Sequence, residues 1–178
     1  MLISMNTFPR VPYFPDHIVY NKAAKNTETY VFFYDGENMK ISRYDSLPGE
    51  AALIRAEVFM TEQGFRDEFD DTDHTAFHYV AFDDDGTPVG VCRTFPGPDP
   101  RERVFGRLAV RKLWRGKGIG RELISFAENS VREEGAVSLR LHAQVSAAGF
   151  YEKLGYTAYG DPDYDEHVLH IWMKKDLS

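Results

Sequence analysis

Gly106-Arg-Leu-Ala-Val-Arg-Lys-Leu-Trp-Arg-Gly-Lys-Gly-Ile-Gly-Arg121 runs from a strand-like segment through a basic turn and three glycines straight into an amphipathic helical pattern. A junction of this kind aims unpaired backbone N–H groups and the positive end of a helix dipole at one spot, which is how a chain holds a phosphate without needing a full charge. Arg111, Lys112, Arg115, Lys117 and Arg121 add five cations to it. The whole chain has 28 acidic against 21 basic side chains and a net charge of -7. In so acidic a protein the local excess implies a specific anionic ligand, and the overall balance argues against a dedicated nucleic-acid binder.

Spacing removes two familiar phosphate motifs. A Walker loop needs Lys followed by Ser or Thr at the helix start, and Lys117 is followed by Gly118. A dinucleotide fingerprint would place a glycine where Arg121 stands and would require a parallel sheet. What remains is Arg-x-x-Gly-x-Gly from Arg115 to Gly120.

Outward from this segment the chain reads as hairpins first and a β-α-β unit later. Thr29–Tyr34 and Met39–Tyr44 are rich in aromatic and β-branched residues around the turn Asp35-Gly36-Glu37-Asn38. Phe77–Phe82 and Pro88–Phe95 flank Asp85-Gly86 in a second hairpin. Between them, Ser46 is suited to cap a helix with Pro48 in its first turn, using Leu53, Ala56, Val58 and Phe59 as its apolar side up to about Met60. Glu62–His74 reads as a polar surface loop anchored by its phenylalanines, a plausible wall for an acceptor site. Arg103–Val110 is a strand, Gly118 to about Glu134 a helix ended by Gly135, and Ser138–Ala143 the strand after it. A short helix from Ser146 to Leu154 and strands near Tyr156 and over Val168–Met173 complete the series, with Asp161–His167 as a solvated loop. Residues 1–28, with Pro9, Pro12 and Pro15 among aromatic side chains, form an extended arm. Residues 29–178 then make one α/β (α+β) domain, an ordinary size for a single core. The arm is suited to cover its own sheet or that of a second copy, so a homodimer is one arrangement it allows.

Cys92 is the only cysteine, so neither an intrachain disulfide nor a cysteine zinc site is available. It reads as a small buried strand residue. The N-terminal residues carry neither a basic stretch nor a long apolar run, so the expectation is a cytoplasmic protein without membrane attachment.

The Arg115–Gly120 pattern, after a strand ending in Val110, resembles the pyrophosphate loop of the GNAT superfamily of N-acetyltransferases. Ala147-Ala-Gly-Phe-Tyr-Glu-Lys-Leu-Gly-Tyr156 is similar to that family's second block, at the family's usual separation. The likeness covers about residues 40 to 175. Val58-Phe59 before Glu62-Gln63, the acidic run from Asp70 to His78, and His142-Ala143-Gln144 further resemble the ElaA-like branch, although Lys112 stands where many relatives have proline.

The resemblance implies a largely antiparallel central sheet flanked by helices, in which the strand before the coenzyme-binding helix splays from its neighbour at a bulge. It implies acetyl-CoA as cosubstrate, held by Leu108, Ala109 and Val110, by Arg115, Gly116, Lys117, Gly118, Ile119, Gly120 and Arg121, and by Gln144, Ala147, Phe150 and Tyr151. Tyr151, at the family's tyrosine position, would protonate the departing thiolate, since a phenol with a reference pKa of about 10 keeps its proton at neutral pH. The amine must lose a proton before it attacks, and Glu62 and His78 are the candidate bases, with Asp70, Asp73 and His74 behind them. Either residue is equally readable as structural. The chemistry asks for no metal, and His74 and His78 read as structural before they read as ligands. Trp114 and Trp172 read as packing residues. The expected reaction is acetylation of a primary amine in a ternary complex, with a small-molecule acceptor preferred over a protein. The alternative is an acyl-CoA-binding sensor or interaction module without turnover.

Overall fold

The computed structural model describes residues 18–21, 27–34 and 37–177, with side chains from Met39 onward. Most of the 1–28 arm therefore lies outside the described residues. Its Ile18–Asn21 is a strand, β1, paired antiparallel with β2, Thr27–Tyr34. β2 pairs with β3, Glu37–Tyr44, as the first expected hairpin. β4, Phe77–Phe82, and β5, Pro88–Pro96, form the second, closed by the bond from Gly86 N–H to the Asp83 carbonyl. β6, Glu102–Val110, joins β5 antiparallel, and β7, Ser138–Gln144, joins β6 parallel through α2, Ile119–Glu133. β8, Thr157–Asp165, and β9, Val168–Asp176, complete a nine-stranded sheet in the order β1-β2-β3-β4-β5-β6-β7-β9-β8. Among the described strands only the β6–β7 pair is parallel, joined through the α2 crossover, which carries the chain back to its starting end.

One face of the sheet packs on α2, whose Ile119, Leu123, Ile124, Phe126, Ala127 and Val131 lie against Tyr79, Cys92, Phe105, Leu139 and Leu141. The other carries α1, Gly49–Arg55, whose Ala51 and Ile54 meet Val80, Val91 and Ala109. Cys92 is fully buried and its thiol is held well above its ordinary pKa by burial, in keeping with a packing residue. Among the described residues no helix is long and apolar enough to cross a membrane.

Two expected elements come out differently. Pro48, not Ser46, is the N-cap of α1, and no side chain caps it. The helix then widens into a π-type turn over Ala56–Glu62, with the bond from Gln63 N–H to the Val58 carbonyl five residues back. Leu53, expected on the apolar side, is 64% exposed, because the face turned to the sheet is Ala51, Ile54, Arg55, Val58 and Phe59. The solvated loop expected at Asp161–His167 is for the most part strand. β8 reaches Asp165, and only Glu166 and His167 turn the chain, with Glu166 at φ 51°. Every residue of β8 is exposed, so it lacks the buried face that marks a strand in sequence.

Candidate active site

β6 and β7 are paired only from Glu102–Phe105 against Ser138–Leu141. Beyond Phe105 the two strands separate. On its other side β6 slips by one residue against β5: Val91 faces Ala109 but Arg93 faces Gly106, so three steps on β6 match two on β5. The extra residue is accommodated at Arg107, which has φ 55°, a left-handed conformation that a non-glycine residue adopts at a cost. The bulge and the divergence together open a cleft of about 460 Å³, floored by Val104–Leu108 of β6 and Leu141–Gln144 of β7.

The end of the cleft on the α2 side is made by the basic turn. Gly116 and Gly118 have φ of 79° and 80°, and Gly118 is the N-cap of α2, so these two positions require glycine to bring the chain round. The first regular helical bond there runs from Glu122 N–H to the Gly118 carbonyl, which leaves the amides of Ile119, Gly120 and Arg121 without intrahelical partners. A Cβ at Gly120 would stand 3.5 Å from Phe150 and 3.8 Å from Leu108, so the helix start touches the cleft lining directly. Arg115 donates from Nε to the Val110 carbonyl at 2.8 Å and binds both Glu62 carboxylate oxygens at 2.6 and 2.8 Å.

α3, Ala148–Glu152, brings Tyr151 into the lining with Phe150 and Ala147. Tyr151 is 8% exposed, and burial raises its phenol pKa well above the ordinary value. It therefore holds its proton at neutral pH. The opposite wall comes from the loop after the π-type turn, through Gln63, Phe65, Asp67 and Glu68, and from β8–β9, through Asp165, Glu166, His170 and Trp172. Gln144 Nε2 donates to Gln63 Oε1 at 2.8 Å, and His167 bonds the Gln63 carbonyl at 3.0 Å, so this wall is tied to both β7 and the last hairpin.

Under the loop lies a group of buried charges. Arg55, fully buried, donates to Glu68 at 2.6 Å and to Asp73 at 2.6 and 3.0 Å, and Arg93 donates to Asp73 at 2.5 Å and to Asp70 at 2.8 and 2.9 Å. Arg107 reaches Glu68 at 3.1 Å. Burial pushes the Asp73 carboxyl up, but the bonds from Arg55 and Arg93 outweigh it and hold the group well below the usual aspartate range. Thus the loop read as a surface segment anchored by its phenylalanines is also held from beneath by buried ion pairs.

Among the expected site residues, Leu108, Gln144, Ala147, Phe150 and Tyr151 meet in the cleft lining. Arg115 to Arg121 form the adjoining turn and helix start, where Ile119 is a core residue and contributes its amide. Ala109 is buried against the α1 side and Val110 pairs with Gly90. Glu62 and His78 do not line the cleft. Glu62 sits on the outer face in its pair with Arg115, which lowers its pKa, and His78 is wholly buried with Nε2 3.1 Å from the Asp73 carbonyl. Burial holds His78 below its ordinary pKa. Residues missed in the sequence are Arg93, Glu68, His142, His170 and Trp172. Trp172 was read as packing, yet it lines the cleft with its ring stacked on His142 at 4.6 Å. Only His142 carried a signal, as part of the His-Ala-Gln run beside the second block.

A model of the acetyltransferase (GNAT) domain matches residues 45–177. The Bacillus subtilis protein YyaT is 32% identical over 140 residues, which are 72% of this chain and 88% of the relative. Escherichia coli ElaA superposes with a TM-score of 0.68 at 22% identity, over 78% of this chain and 99% of that one. An acyl-CoA N-acyltransferase from Pseudomonas aeruginosa also superposes with a TM-score of 0.68, at 23% identity over 78% and 99%.

Proposed function

Because the chain belongs to the GNAT acetyltransferase family, we propose that it transfers an acetyl group from acetyl-CoA to the primary amine of a small molecule by direct attack. The observation that carries this reading is the gap between β6 and β7, opening beside the unpaired amides of the α2 start. A pantetheine arm is a strand-like chain of amides, and unpaired strand backbone on both sides of a gap is what it can pair with. The diphosphate falls at the Gly116–Arg121 amides and the thioester at the bulge. There the Leu108 N–H is suited to stabilise the carbonyl oxygen as it gains negative charge. Tyr151 stands in the same lining and gives its proton to the leaving sulfur. A walled cleft of about 460 Å³ suits a small acceptor better than a folded protein surface.

Calorimetry with acetyl-CoA, followed by detection of free coenzyme A thiol across a panel of amines, tests the reading. The expected result is binding plus turnover on a subset of amines, and Tyr151→Phe lowering kcat by about 10²–10⁴-fold with donor affinity kept. Binding without turnover on any amine would favour an acyl-CoA-binding module instead.

A further inference from the structure

Along β7 the side chains alternate. Leu139, Leu141 and Ala143 pack into the core under α2, so His142 and Gln144 face the other side, toward Gln63 and the acceptor wall. Tyr151 belongs to the α2-side core. A thioester lying in the gap would thus have Tyr151 on one side and His142 on the other. The His142 ring is fixed by Trp172, stacked at 4.6 Å and 15°, and by His170, with centroids 4.9 Å apart. Its Nε2 stands 2.7 Å from Asp163 Oδ1, though not aligned as a full hydrogen bond. With Nε2 directed at β8, Nδ1 is the nitrogen left to take a proton. The groups facing the ring are Asp163 and Asp165 from β8 and His170 from β9, while Arg140 on its own strand is turned to the Trp172 ring at 4.5 Å. Burial lowers the imidazole pKa and is only partly offset by Asp163 and Asp165, so the ring is neutral at neutral pH. Three other cleft groups are engaged, Glu68 with Arg55 and Arg107, Glu166 with the amides of Arg66 and Asp67, and His170 Nδ1 with the Val168 carbonyl, while Asp67 and Asp165 are the further carboxylates of the lining.

Resting on the acyl-transfer reading above, we propose that His142 is the base that deprotonates the acceptor ammonium, with Asp163 as the residue that positions its ring. The neutral amine then attacks the thioester carbon, forming the C–N bond as the C–S bond breaks. Of the ammonium's three protons one leaves on His142 and passes to solvent. A second reaches sulfur through Tyr151, which protonates the thiolate and is reprotonated from the attacking nitrogen, and the third stays on the amide.

The test is the pH profile of kcat/KM with an accepted amine, measured from about pH 5 to about pH 9. H142Q is expected to lose about 10²-fold in kcat together with the acidic limb, while its affinity for acetyl-CoA is unchanged. Asp163 has a side chain 59% exposed, so D163N should fold even where H142Q does not. Since the carboxylate raises the imidazole pKa, its removal should move the acidic limb to lower pH. An H142Q enzyme with the limb intact, or a D163N enzyme with the limb unmoved, overturns the assignment and leaves the acyl-transfer reading standing. A wild-type protein that binds acetyl-CoA but turns over no amine overturns both.

Discussion

Arg55 is a cation without water contact, and Glu68 and Asp73 are stable in the interior because of it. Removing such a partner strands the opposite charges. Arg55→Met should therefore cost about 3–5 kcal/mol in urea unfolding, where Arg115→Met, which breaks an exposed pair with Glu62 and an exposed bond to the Val110 carbonyl, should move the midpoint little. The same cluster sets an acid limb. The folded Asp73 and Asp70 titrate below the ordinary 3.8, so their contribution is complete above that value and is lost as pH falls below it. Glu68, raised by burial, has the opposite sign: its contribution is present below the ordinary 4.5 and fades as pH rises through its raised value. Urea midpoints should consequently drop steeply below about pH 4, and Asp73→Asn, less stable throughout, should show a shallower drop. Little of this cluster was legible in the sequence. Gly116, Gly118 and Tyr151 stand in local patterns with fixed spacing, whereas Arg55, Glu68, Asp73 and Arg93 meet only once the strands have paired. Glu62 and His78 were candidate bases from their residue types alone, and only packing reveals that an arginine holds one and the core encloses the other.

Strands with one dry face announce themselves, and so do glycine turns. Both early hairpins and the run from β6 through α2 to β7 were readable for that reason. β8 was not, because Tyr159, Asp161, Asp163 and Asp165 alternate polar groups on a strand with no buried side, and that is why Asp163 was not seen as a partner for His142. The π-type turn after Arg55 was equally invisible, since a change in hydrogen-bond period leaves no compositional mark. One element-level contact does carry a clear prediction. Gly90 on β5 lies under the first turns of α2, where an added Cβ would stand 3.0 Å from Leu123, 3.1 Å from Ile119 and 3.3 Å from the Ala109 carbonyl. The helix start that leaves the Ile119–Arg121 amides unpaired is thus seated by the absence of a side chain beneath it. Gly90→Ala should destabilise by about 1–3 kcal/mol and weaken acetyl-CoA binding, read by thermal melts and calorimetry. Gly49→Ala, at a helix position with no atom within 4 Å, should be neutral or slightly stabilising and leave donor affinity alone.

At the scale of the molecule the splay divides the sheet. β1 to β6 form one block and β7, β9 and β8 another, joined by the short parallel pairing Glu102–Phe105 with Ser138–Leu141 and by α2 lying across the seam. A donor seated between the diverging ends would pair with both blocks at once and act as a missing strand. Saturating acetyl-CoA at about 100 times its Kd should then add about 2.7 kcal/mol of stability, and the gain should be spread asymmetrically. Hydrogen exchange is expected to slow at Leu108 and Val110 on β6, at Gln144 on β7, and at Ile119 to Arg121, the amides that the gap and the helix start leave unpaired. β8, outside the seam and exposed along its length, should exchange as before. Protection confined to one side of the seam would mean that the ligand lies on a block and does not bridge the two, and the acyl group would then not reach the space between Tyr151 and His142 at all.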